Sequence, residues 1–148
     1  MAQPPHFEID GMIYFVSTRI ANIGRTFNRS EMKLIDGTIK ELTREGYFVL
    51  IAYVIMPDHL HILLKPVKDG ISKIMQMIKG RSSKAINKGK FWQKGFYDLT
   101  LFSEDKFKKK FNYIHYNPVK VGLAERAENY KFSSAMYYKN RYGAVFYE

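Results

Sequence analysis

The stretch from Tyr47 to Lys65 constrains this chain more than any other part of it. It is β-branched and aliphatic almost throughout, and Pro57-Asp58 interrupts it once. An apolar run broken by turn-forming residues reads as two strands, Tyr47 to Met56 and His59 to Lys65, folded back as a hairpin. The second strand opens with His59-Leu60-His61. Side chains two apart on a strand project from the same face, so both imidazoles point one way and Leu60 points into the core. That makes a two-toothed metal ligand on a rigid support, with further ligands to come from elsewhere. Two half-exposed histidines with no metal also fit the spacing.

The flanking segments supply partners for the hairpin. Met12 to Arg19 reads as a first strand. Glu31 to Glu45 carries Met32, Ile35, Ile39 and Leu42 at helical spacing, with Ser30 as N-cap and Gly46 as the stop. Ile71, Ile74, Met75 and Ile78 mark a second helix running towards Asn87, and Phe91 to Phe102 reads as a fourth strand. Ser103-Glu104-Asp105 caps a third helix that reaches Tyr116, where Pro118 sets the boundary. Tyr130 to Tyr138 reads as a short terminal helix. The order β-α-β-β-α-β predicts an α+β, ferredoxin-like (split β-α-β) antiparallel sheet with helices on one face, plus a C-terminal helical extension. No repeat or linker divides residues 1–148, so one domain is expected.

Charge narrows the partners. Twenty-four Lys and Arg against 14 Asp and Glu give a net charge of +10, accompanied by 11 Tyr and 11 Phe. Cations hold phosphates and aromatic faces stack bases, so nucleic acid is the leading polyanion. With no cysteine, disulfides and thiolate-held zinc are both excluded. No run approaches the roughly 18 apolar residues of a membrane span, and the N-terminus lacks a signal-peptide pattern. The cytoplasm is the expected compartment. Lys79, Arg81, Lys84, Lys88 and Lys90 lie in one acid-free segment whose glycines and serines suit contacts to a phosphate backbone. A solvated helix end fits the same segment.

On the third helix, Phe107, Phe111 and Ile114 form a core face. A second stripe holds Lys106, Lys110, Tyr113 and Asn117. A tyrosine beside lysines and one turn before a carboxamide suits phosphate chemistry: Lys106 and Lys110 hold the DNA phosphodiester and ease phenolate formation, and the amide oxygen can be a third metal ligand. Tyr113 and Asn117 lie about 40° apart on a helical wheel, whereas Tyr116 lies some 60° beyond Tyr113 on the far side. An ordinary solvated basic helix would carry the same residues.

Three segments in order, Met56-Pro-Asp-His-Leu-His-Ile-Leu63, Phe91-Trp-Gln-Lys-Gly-Phe-Tyr-Asp98 and Tyr113-Ile-His-Tyr-Asn-Pro-Val-Lys-Val-Gly-Leu123, resemble the single-tyrosine HUH transposases, particularly their REP-associated branch. Phe132-Ser-Ser134 fits the same pattern. The resemblance implies cleavage of single-stranded DNA beside a hairpin. Tyr113 would be the nucleophile, and His59, His61 and Asn117 would hold Mg²⁺ or Mn²⁺. Relatives often carry glutamine where this chain has Asn117, and Tyr116 adds a second tyrosine near the nucleophile. The implied product is a 5′-phosphotyrosine. Some relatives act as dimers that share sites and others as monomers, so a homodimer stays open. Two competing readings are a non-catalytic single-stranded nucleic-acid-binding module on the same sheet and a metal-dependent hydrolase using water.

Overall fold

The β-branched and aromatic run Ile13–Arg19 forms the first strand, β1, in a computed structural model that describes residues 2–7 and 12–148. Helix α1 (Arg29–Arg44) follows, then the hairpin of β2 (Phe48–Ile55) and β3 (His59–Pro66), helix α2 (Ile71–Ile86) and strand β4 (Tyr97–Leu101). The C-terminal extension comprises α3 (Glu104–Lys120), a 3-10 turn (Ala127–Asn129) and α4 (Ala135–Tyr142). Spatial order in the sheet is β2-β3-β1-β4 with every pairing antiparallel, which is the ferredoxin-like arrangement.

Strand alternation gives the sheet two apolar faces. Val16, Leu60, Ile62 and Leu64 pack against Ile35, Ile39 and Leu42 of α1 and Ile74, Met75 and Ile78 of α2. Ile13, Phe15, Val54 and Leu63 meet Phe107, Phe111 and Ile114 of α3 and Tyr138 of α4 on the opposite side. The two crossover helices thus share one face, as expected, and the C-terminal extension covers the other. That extension also closes the outer edge of β2: Ile55 N–H donates to the Phe132 carbonyl and Ser134 N–H to that of Tyr53, at 2.8 and 3.0 Å. No helix among the described residues is long and apolar enough to cross a membrane.

Four boundaries differ from expectation, each for a local reason. The α1 cap is Asn28, not Ser30: its side chain accepts from Glu31 N–H while the Glu31 carboxylate accepts from Asn28 N–H, both at 2.8 Å. Burial alone would raise the Glu31 carboxyl, but that backbone bond, Lys88 and Arg25 hold it below its ordinary range. Strand β4 begins at Tyr97 rather than Phe91. Phe91 and Trp92 are core residues, with Trp92 Nε1 donating to Ser82 Oγ, and Gly95 at φ +78° turns the chain before the strand starts.

Helix α3 continues through Pro118 to Lys120. An interior proline costs about 3 kcal/mol. Burial of Phe107, Phe111 and Ile114 stabilises by roughly 1.5–3 kcal/mol each, so packing outweighs the break. The last helix occupies Ala135–Tyr142 instead of Tyr130 to Tyr138, because Phe132 and Ser133 are paired to the edge of β2.

Candidate active site

At one end of the sheet, β1 and β3 bring Ser17, Arg19, His59 and His61 together. Their register pairs Ser17 with His61 and Arg19 with His59. All four lie on the α3 side of the sheet, and α3 adds Tyr113 and Asn117. Residues Gln93 to Tyr97 close the remaining wall of a cleft of about 570 Å³. The histidine pair, Tyr113 and Asn117, read separately from the sequence, therefore line one cavity.

Each imidazole is oriented by a neighbour. His59 Nδ1 lies 2.5 Å from an Asp58 carboxylate oxygen, and His61 Nδ1 is bonded to Ser17 Oγ. The rings stand 4.6 Å apart at 75°. Asp58 also accepts from Arg19 at 3.2 Å. Burial would raise the Asp58 carboxyl, but His59 and Arg19 more than offset that and hold it below its ordinary range. Burial pushes His61 down to about 3, with the charges of His59, Lys110 and Arg19 adding to the effect. His61 is therefore a neutral base at physiological pH, and a neutral imidazole is what a metal requires.

Two buried polar atoms in this cleft have no protein partner, His61 Nε2 and Asn117 Nδ2. A buried donor without an acceptor costs about 1–3 kcal/mol. A proton on Nδ1, donated to Ser17, leaves Nε2 as a lone pair instead, an unpaired acceptor that a cation would satisfy. Turning the Asn117 amide over likewise presents its oxygen to the cleft; the two orientations are nearly indistinguishable by shape. Two imidazole nitrogens and an amide oxygen form a donor set that fits a divalent ion. Among the described residues no cluster of three or more His, Asp or Glu could hold a metal.

Tyr113 stands beside this set. Its ring centroid is 5.4 Å from that of His61, and 40% of the residue is exposed. Lys110 Nζ lies 5.3 Å from the Tyr113 centroid and 4.5 Å from that of Phe15. Lys106, one turn earlier, is exposed. Tyr116 does not line the cleft; it is half exposed and packs edge-on to Phe146. His115 is fully buried between the Val145 carbonyl and Ser134 Oγ.

The basic segment is less uniform than its sequence. Lys79 donates to the carbonyls of Gln93 and Gly95 and so fixes the cleft wall. Arg81 pairs with Glu41 and Glu45, and Lys88 with Glu31. Lys84 and Lys90 are exposed. Sequence reasoning missed Ser17, Arg19 and Asp58 as supports of the histidines. For Asp58 there was a signal, its place immediately before His59.

The family model for IS200-like transposases matches residues 24–117. A REP-associated tyrosine transposase of Escherichia coli K12 is 23% identical over 136 residues, spanning 90% of this chain and 82% of the relative. A protein of Haemophilus influenzae described as a putative REP-associated tyrosine transposase is 23% identical over 140 residues, covering 84% and 80%. A solved REP-associated tyrosine transposase bound to a REP hairpin superposes with a TM-score of 0.82 at 20% identity, over 100% of this chain and 92% of the other. A putative transposase from Deinococcus radiodurans superposes at 0.54 and 17% identity, over 76% and 95%.

Proposed function

This chain belongs to the IS200-like transposase family, and from that premise we propose that it nicks and rejoins single-stranded DNA through a covalent bond to Tyr113, the whole chain acting as one catalytic domain. It is a DNA transposase or repeat-associated nuclease by family. The observation that carries the finer reading is the convergence of two unpartnered buried atoms, His61 Nε2 and Asn117 Nδ2, on a cleft that also holds Tyr113.

A divalent ion such as Mg²⁺ or Mn²⁺ on His59, His61 and Asn117 would supply positive charge to a non-bridging oxygen of the scissile phosphate. Asp58 and Ser17 hold the two imidazoles in the tautomer that leaves Nε2 free. Tyrosine's ordinary pKa is about 10, so phenolate needs cationic help, and the Lys110 ammonium is placed to give it. Tyr113 Oη loses its proton to solvent and attacks phosphorus in line. As the Oη–P bond forms, the bond to the 3′-oxygen breaks, and that oxygen takes up a proton to become a free 3′-hydroxyl. The other half of the strand stays on Tyr113 as a 5′-phosphotyrosine. Attack by a second strand's 3′-hydroxyl reverses these steps, restores Tyr113 and completes transfer. The phosphodiester energy is kept in the adduct, so no nucleotide is consumed.

By analogy with the hairpin-bound relative, we assign a single strand with an adjacent hairpin as substrate. Mixing the protein with hairpin-bearing single strands and Mn²⁺ should give a covalent adduct that survives a denaturing gel. The His59→Ala, His61→Ala double variant should lose it while still binding DNA. Turnover of strands without an adduct would instead indicate water as nucleophile, and binding without turnover a binding module.

A further inference from the structure

On the outer side of Tyr113, facing away from the histidines, a shallow apolar slot is lined by Asn112, Tyr113, Tyr116 and Phe146. Three aromatic residues there stay partly in water, Tyr113 at 40%, Tyr116 at 50% and Phe146 at 36% exposure. Phe146 is not held there by its own packing alone. The backbone on both sides of it is tied down: the Val145 carbonyl accepts from His115, and Tyr147 exchanges two 2.8 Å hydrogen bonds with the Asn112 side chain. These bonds fix the ring against Tyr116, with centroids 6.4 Å apart at 66°. Rigid, half-exposed aromatic faces beside a strand-cleaving tyrosine match what an unpaired base needs for stacking.

In-line displacement decides which base can reach them. The departing 3′-oxygen leaves on the side of phosphorus opposite Tyr113 Oη, so the upstream nucleotide moves away from α3. The downstream nucleotide keeps its bond to phosphorus through the equatorial 5′-oxygen and so is the one left tethered beside Tyr113. We propose that Tyr116, Phe146 and the outer face of Tyr113 form a stacking slot for the base immediately 3′ of the scissile phosphate. This proposal rests on Tyr113 being the nucleophile. It gives the second tyrosine a role in positioning the strand, not in bond making.

The test uses a hairpin-bearing single strand whose cleaved bond has been mapped by its adduct, and a matched strand lacking only the base 3′ of that bond. For the wild-type chain, base removal should raise the half-saturating strand concentration about tenfold and leave the maximal rate of adduct formation nearly unchanged. The Tyr116→Ala, Phe146→Ala double variant should show that rise on the intact strand and no further rise on the abasic one. Tyr116→Phe, which keeps the ring, should behave as wild type. Additive effects of the variant and the missing base would overturn the slot, as would sensitivity confined to a different base. A second readout does not depend on the double variant folding. In a complex of Tyr113→Phe with uncut strand, 2-aminopurine at that position should be quenched, and undiminished fluorescence would overturn the proposal. Absence of any adduct with the wild-type chain would overturn the Tyr113 reading and the slot together, whereas adduct formation with additive effects overturns the slot alone.

Discussion

Acid should loosen this protein in part through His115. Its imidazole is fully buried, donating from Nδ1 to the Val145 carbonyl and accepting at Nε2 from Ser134. Burial pushes it from an ordinary 6.5 down to about 4, partly countered by the bond to Val145. The unfolded chain therefore takes up the proton first as pH falls, so stability is complete above 6.5 and drains away down to 4. The full shift of 2.5 units corresponds to about 3.4 kcal/mol. About 2.4 kcal/mol of it is lost between pH 7 and 4.5. Urea unfolding followed by the single, buried Trp92 should show the midpoint falling by about 1–2 M over that interval from this residue. His61 is also held neutral by burial and adds its own acid sensitivity, so the comparison is with His115→Gln, which keeps His61. The variant's pH dependence should be shallower than wild type by that amount, whatever its absolute stability. Parallel pH curves for the two proteins would refute the reasoning.

Asp58→Ala removes the partner of both His59 and Arg19, and Mn²⁺ affinity measured by calorimetry should fall about 10- to 100-fold with the fold intact. Tyr113→Phe should abolish the DNA adduct without weakening strand binding, while Tyr116→Phe should keep it; mass spectrometry that locates the DNA on Tyr116 would reverse the assignment. Affinity for a single strand beside a hairpin should exceed that for a featureless duplex and fall steeply with added salt, since phosphate contacts release counterions. Fluorescence anisotropy that is flat with salt would contradict this.

How much could be read from the sequence depended on whether a feature is set locally. Strands β1, β2 and β3 follow from β-branched and apolar runs, the turn from Pro57-Asp58, and the shared face of His59 and His61 from the two-residue period of a strand. The stripe of Lys110, Tyr113 and Asn117 follows from helical period. Features decided across the chain were harder. Phe91 and Trp92 look like strand residues until Phe27 and Ser82 are seen to enclose them. Pro118 looks like a helix stop until the packing of α3 is weighed against it. His115 could not be recognised as an interior residue, because its partners lie 19 and 30 positions away. Lys79, Arg81 and Lys88 read as a uniform cationic segment, yet each is taken up by a different set of structural partners.

The proposed nucleophile and the proposed amide ligand ride on a single helix, while both histidines belong to the sheet. Alignment of the reacting parts is thus set by how α3 seats on the strands beneath it. A side-chain tip stands about 5–6 Å from a helix axis, so a roll of about 10° carries the phenolic oxygen roughly 1 Å. A misplacement of that size can slow a reaction about a hundredfold. Phe107, Phe111 and Ile114, which touch no substrate, are the bearing on which that roll is controlled. Trimming one of them should therefore register first as lost reaction rate, before any loss of DNA affinity, and the apolar layer beneath α3 acts as the machine tolerance of the enzyme.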